Sequence, residues 1–238
     1  WGVNALMPSG GILYVASLRG VSRFDGARLA PVAGEEGAAF SLTESPAGPV
    51  FGTGQGVALP DGAFLSAFHG LPGNQALALA MDPSGLLFVG TPSGLGAVRG
   101  ARVLWRLTSG DGKLPHPWVT ALARFGDALY LGTYGGGLAK RLAPATQGDA
   151  VGAFVPFVET EGMKVSANGL VAAGGTLFAG TDGQGLLRLS PDGSRFLPVK
   201  VPLPSPHITA ILPAPEGLYV GTDEGLARIP LPLSGEGL

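Results

Sequence analysis

Apolar residues in this chain come in short runs, mostly four to six long, rich in β-branched and aromatic side chains and bounded by Gly, Pro and Asp. Such runs read as β-strands. No stretch sustains a 3.6-residue apolar period, so the pattern predicts almost no helix. One phrase recurs along the chain. LYLGT at 129–133 is followed by Gly137 and Leu138, LFVGT at 87–91 by Gly94 and Leu95, LFAGT at 177–181 by Gly185 and Leu186, and LYVGT at 218–222 by Gly225 and Leu226. Looser copies are LYVAS at 13–17, before Gly20 and Val21, and VFGT at 50–53, before Gly56 and Val57.

The anchor positions 16, 52, 90, 132, 180 and 221 have a mean spacing of 41 residues. Upstream of them lies a second phrase: VNAL at 3–6, VTAL at 119–122, ANGL at 167–170 and ITAI at 208–211, with weaker versions at 39–42 and 76–79. In the fourth unit the strands are expected at 119–124, 128–132, 138–142 and 154–158. The Asp-Gly pairs at Asp25 and Gly26, and at Asp192 and Gly193, fall between third and fourth strands, where a tight hairpin needs positive φ. Four short antiparallel strands every 40 residues or so match a propeller blade. The expected fold is therefore all-β: a six-bladed β-propeller with four-stranded antiparallel blades, forming one domain over residues 1–238. From anchor 221 around the end to anchor 16 is only 33 residues, so the last blade should lack a full outer strand or borrow one.

The repeat resembles that of the two-component regulator propellers, in which a V-x-x-L strand precedes D-x-x-G-x-L-W-x-G-T and then G-L-x-R. The run from Met81 to Thr91 matches the middle element, and Gly225-Leu226-Ala227-Arg228 and Gly185-Leu186-Leu187-Arg188 match the last. The family's Trp is Tyr or Phe in all six units. The resemblance implies a non-catalytic propeller outside the cytoplasmic membrane, periplasmic or secreted, that binds a ligand or a protein partner.

Composition narrows the chemistry. Gly (41) and Pro (21) make up roughly a quarter of the 238 residues, but 45% are hydrophobic and only 13% charged, which excludes a highly charged disordered chain. With 15 basic and 17 acidic residues, nothing points to nucleic acid or an anionic surface. Zero cysteines exclude disulfides, thiolate metal sites and a cysteine nucleophile. No apolar run is long enough to span a bilayer. The chain starts at Trp1 rather than Met, which implies a removed signal peptide, a tag or upstream residues, and the sequence does not choose among them.

First-strand positions expected to line the channel (Asn4, Phe40, Leu77, Thr120, Asn168, Thr209) include no ionisable group, so the carboxylate ring that would hold calcium is missing. No metal, cofactor or catalytic residue is expected. A cation recurs two residues after the Gly-Leu or Gly-Val pair at Arg23, Lys140, Arg188 and Arg228. Its expected role is to pack its stem between blades and to pair with a carbonyl or carboxylate. Topology puts the loop between strands two and three at the same end of the blade as the link into a first strand. Tyr134, Asp182 and Asp223 occupy the first kind of loop; His116, Trp118 and His207 occupy the second. These histidines lack the spacing of a metal pair, and Trp118 is either a binding aromatic or a cover for its own blade's core. The candidate binding set is Trp118, Tyr134, His116 and His207, suited to a protein or carbohydrate-like ligand. The alternatives are a propeller lyase or hydrolase acting on a carbohydrate or small molecule, and a structural subunit of an oligomer.

Overall fold

The computed structural model describes residues 2–144 and 150–231. Among them every regular element is a strand, apart from three single 3-10 turns at Ala67–His69, Ser109–Asp111 and Val158–Thr160. The strands form six consecutive antiparallel sheets, and the chain divides into two compact units, Trp1–Asp111 and Gly112–Leu238, with three sheets each.

In the first unit, blade one is β1 (Val3–Ser9), β2 (Ile12–Ser17), β3 (Gly20–Phe24) and β4 (Leu29–Pro31). Blade two is β5 (Ala39–Ser45), β6 (Gly48–Thr53) and the two-residue β7 (Val57–Ala58) and β8 (Phe64–Leu65). Blade three is β9 (Ala78–Met81), β10 (Leu87–Thr91), β11 (Gly94–Arg99) and β12 (Arg102–Thr108). In the second unit, blade four is β13 (Val119–Phe125), β14 (Ala128–Thr133), β15 (Gly137–Arg141) and β16 (Phe154–Pro156). Blade five is β17 (Val165–Ala173), β18 (Thr176–Thr181), β19 (Leu186–Leu189) and β20 (Phe196–Pro198). Among the described residues blade six has three strands, β21 (Ile208–Ala214), β22 (Gly217–Thr222) and β23 (Gly225–Ile229). The short final blade is the outcome the closing interval predicts.

Within each unit the core lies between consecutive blades, and strand alternation explains why. Successive residues of a strand face opposite ways. Leu177 and Ala179 of β18 pack with Tyr130, Leu138 and Phe157 of blade four. Phe178, between them, packs with Ile208, Leu218 and Val220 of blade six. Both faces of the sheet are buried, so its strands read as continuous apolar runs. Blades one and two meet in the same way through Ala16, Val21 and Phe51, and blades two and three through Val50, Leu65, Leu71 and Leu87.

The Gly-Thr phrase works as two devices. A Cβ on Gly132 would lie 2.4 Å from Cγ1 of Val165, the first residue of the next blade, and one on Gly180 would lie 2.7 Å from Cγ2 of Ile208. The glycine thus sets the distance between blades. The following hydroxyl closes the turn in all six blades. Ser17, Thr53, Thr91, Thr133, Thr181 and Thr222 donate to the carbonyls of Gly20, Gly56, Gly94, Gly137, Gly185 and Gly225 at 2.7–3.1 Å. The Asp-Gly turns also form as expected, with Gly26 at φ 95° and Gly193 at φ 69°. Oδ1 of Asp25 accepts from the amides of Ala27 and Arg28.

One strand limit needs correction. The fourth strand of blade four ends at Pro156 rather than 158, because Phe157 turns into the core and starts the 3-10 turn. The first strand of blade five starts at Val165, two residues ahead of the ANGL phrase at 167–170. Val165 pairs with Thr181 and Leu170 with Ala179, so a bulge takes up the intervening residues, including Asn168 at φ 52°.

Candidate functional site

In the second unit the loop between strands two and three and the link into the first strand meet through a repeated hydrogen bond. The amide after Gly-Thr donates to the carbonyl just before the first strand: Tyr134 to Trp118 (2.9 Å), Asp182 to Lys164 (2.8 Å) and Asp223 to His207 (3.3 Å). Each blade therefore presents two side chains together at this end. The same positions in the first unit are Gly2 and Leu18 in blade one and Ala38 and Gly54 in blade two, held by equivalent bonds of 3.1 and 2.7 Å. None of those four carries an aromatic ring or a charge. Among the five blades that make this bond, the chemistry-bearing pairs belong to blades four, five and six.

Trp118 and Tyr134 lie with ring centroids 4.8 Å apart and planes tilted by 39°. Trp118 is 40% exposed and Tyr134 36%, so the pair stands on the surface and Trp118 does not plug the core of its blade. Lys164 Nζ sits 4.9 Å from the Tyr134 ring centroid, close enough for a cation–π contact. His116 is half-buried beside the pair, and its Nδ1 accepts the Trp118 amide at 3.2 Å. The glycines of the adjoining loop make room for it. A Cβ on Gly136 would come within 2.7 Å of both the His116 Cβ and the Pro115 carbonyl. The run Gly135–Gly137 thus seats a histidine.

His207 is placed differently. Its Nδ1 lies 2.5 Å from Oδ1 of Asp182, with the two side chains 50% and 43% exposed. The Asp182 hydrogen bond, helped by the nearby carboxylates of Asp223 and Glu224, raises the imidazole above its ordinary value of 6.5. The structure therefore brings Trp118, Tyr134 and His116 together, whereas His207 forms a separate ion pair on Asp182. Lys164 is the member that sequence reading missed. Aligning ANGL at 167–170 with the other first strands concealed the bulge, although Lys164-Val165 is the counterpart of Trp118-Val119 and His207-Ile208.

The first-strand polar groups act as stitches. Thr120 is buried and its hydroxyl donates to the Val165 carbonyl at 2.7 Å; Ser166 reaches Ile208 at 2.6 Å, Ser41 reaches Ala76 at 2.8 Å, and the Asn4 amide reaches Ala39 at 2.7 Å. The acceptors Val165, Ile208 and Ala39 are the first residues of the next blade, and Ala76 lies two residues ahead of β9. Among the described residues no three His, Asp or Glu side chains converge as metal ligands would. Asp111 accepts from the Thr108 amide and hydroxyl, as a turn residue does.

A scan against protein-family models matches none, and a search of curated proteins finds no significant relative. Solved structures do match. The extracellular domain of the hybrid two-component system BT4673 of B. thetaiotaomicron superposes with a TM-score of 0.74 at 18% identity, over 94% of this chain and 32% of that one. The extracellular domain of BT3049 from the same organism gives 0.72 at 16% identity, over 96% and 34%. PorZ, a surface component of the type-IX secretion system of Porphyromonas gingivalis, gives 0.69 at 15% identity, over 94% and 38%. The chain thus spans about a third of the length of each of these proteins. No helix among the described residues is long and apolar enough to cross a membrane. At these identities the likeness establishes the fold, and that fold is a six-bladed β-propeller.

Proposed function

We propose that this chain is a non-catalytic, extracytoplasmic propeller module that binds a protein or carbohydrate-like ligand at the end of blades four to six bearing Trp118, Tyr134, His116 and His207, extended by Lys164 and Asp182. The observation that carries this reading is the exposed Trp118–Tyr134 pair with the Lys164 cation over the Tyr134 ring. Blade construction does not require it, since the equivalent positions of blades one and two hold no ring at the link and no charge. Exposed aromatics on a rigid scaffold supply contact area at low entropic cost, and flat sugar faces and peptide side chains both use it. The likeness to extracellular domains of two-component systems supports the extracytoplasmic placement.

The His207–Asp182 pair favours a second reading, a propeller lyase or hydrolase in which the carboxylate orients an imidazole base. A raised imidazole is a weaker candidate for a base at neutral pH, and binding is the stronger conclusion. The test measures binding to a panel of oligosaccharides and peptides, alongside melting, for the wild type, Trp118→Ala and Tyr134→Ala. Lost binding with retained stability is expected; full binding by both variants sinks the assignment. Turnover of any panel member that vanishes in His207→Gln would favour the enzyme.

A further inference from the structure

The antiparallel blades of the second unit have another end, where the hairpins between strands one and two and the turns after strand three emerge. A cavity of about 710 Å³ lies there against blades four and five, reaching Leu231 beyond blade six. Its apolar wall includes Phe125, Tyr130 and Leu189, and three cations, Lys140, Arg141 and Arg188, line it. Two of these are engaged. Lys140 Nζ stands 5.7 Å over the Tyr130 ring, and Arg141 donates from Nε to the Val151 carbonyl at 2.7 Å and from a terminal nitrogen to the Ala150 carbonyl at 3.3 Å.

Arg188 differs from its counterparts in the repeat. It is only 6% exposed, and among the described residues no group accepts from its buried Nε. Arg23 and Arg228, at the same position of blades one and six, are exposed. The expected pairing of Arg188 with a carbonyl or carboxylate is therefore not made at Nε. The carboxylate of Asp192, which also lines the cavity, is occupied by the hydroxyls of Ser190 and Ser194 and by the Ser194 amide. A guanidinium cannot shed its charge near neutral pH, and burying it without an acceptor is costly. Such a group beside an apolar wall suits an anion that brings both oxygens for the fork and a body for the wall.

We infer that this cavity is a second binding site, independent of the face proposed above, for a small organic carboxylate bearing a ring or other apolar body, held by Arg188 and walled by Phe125 and Tyr130. Titration with benzoate, its uncharged isostere benzamide, and inorganic phosphate tests this, read from protein labelled with 15N-arginine. Benzoate is expected to shift one arginine Nε–H resonance that is missing from Arg188→Lys. Benzamide and phosphate are each expected to bind at least about tenfold more weakly, the first lacking the charge and the second the apolar body. Arg188→Gln, with its fold checked by melting, is expected to lose benzoate affinity by a similar factor. Equal binding of benzoate and benzamide, tighter binding of phosphate, or undiminished benzoate binding by Arg188→Gln would overturn the inference. If neither variant folds, the wild-type resonances still decide: no arginine Nε–H shifting with benzoate alone is the overturning result.

Discussion

Trp118 illustrates why exposure decides between two roles that the sequence leaves open. An aromatic at the start of a first strand fits a core cover or a binding platform equally well. Its 40% exposure and its tilted contact with the Tyr134 ring point to the platform. Trp118→Ala should therefore lower stability by only about 1–2 kcal/mol, the scale of one surface aromatic pair. Phe178→Ala, at a fully buried position, should cost roughly 3–5 kcal/mol. Chemical denaturation of the two variants checks the contrast, and similar losses would return Trp118 to the core. His207 allows a pH experiment. Its folded-state pKa is raised, so its contribution to stability is fully present below the ordinary value of 6.5 and is lost as pH rises through the higher folded value. Asp182→Asn removes the largest cause, so the ring should titrate closer to 6.5 in that variant. A histidine NMR titration reads this directly, and an unchanged midpoint would show that the pair is not what raises it.

Among the elements, the turn that ends each second strand was the most legible in advance. Its hydroxyl bond recurs in every blade because the local sequence Ser/Thr-x-x-Gly or Thr-x-x-x-Gly contains both partners. The preceding glycine was legible as a point of close approach, but what it approaches was not. Only the folded chain brings Val165 against Gly132 across 33 residues. Gly132→Ala would force its Cβ into that valine and should destabilise by about 1–3 kcal/mol. Adding Val165→Ala should recover part of the loss, because the two changes share one contact. Additive losses in a double-mutant cycle would show that the contact does not set the blade spacing. The bulge of β17 was missed for a related reason. Its first valine sits five residues before Leu170, whereas Val119 sits three before Leu122, and a search for repeated phrases of fixed length skips that offset.

For the whole molecule, the proposal is that all six blades form one cooperative domain. Heating or chemical denaturation should then give a single transition, coincident by tryptophan fluorescence and by circular dichroism. Two transitions, with residues 1–111 and 112–238 unfolding separately, would overturn it. Trp1 and Trp105 fall in the first unit and Trp118 in the second, so replacing Trp118 alone, or Trp1 and Trp105 together, assigns any split.

The number of blades, the strand order within each and the turn chemistry follow from sequence alone, because each depends on contacts a few residues apart that repeat about every 41 positions. The composition of the candidate face was partly legible, since topology alone put Tyr134, Trp118 and the histidines at one end of their blades. What only the tertiary structure decided was which neighbours those side chains meet. Lys164 over Tyr134, Asp182 on His207, and Arg188 buried without an acceptor at Nε all depend on packing between different blades. Such contacts join residues 25 or more positions apart, or leave a buried nitrogen without an acceptor, and no local pattern of hydrophobic and polar positions records them.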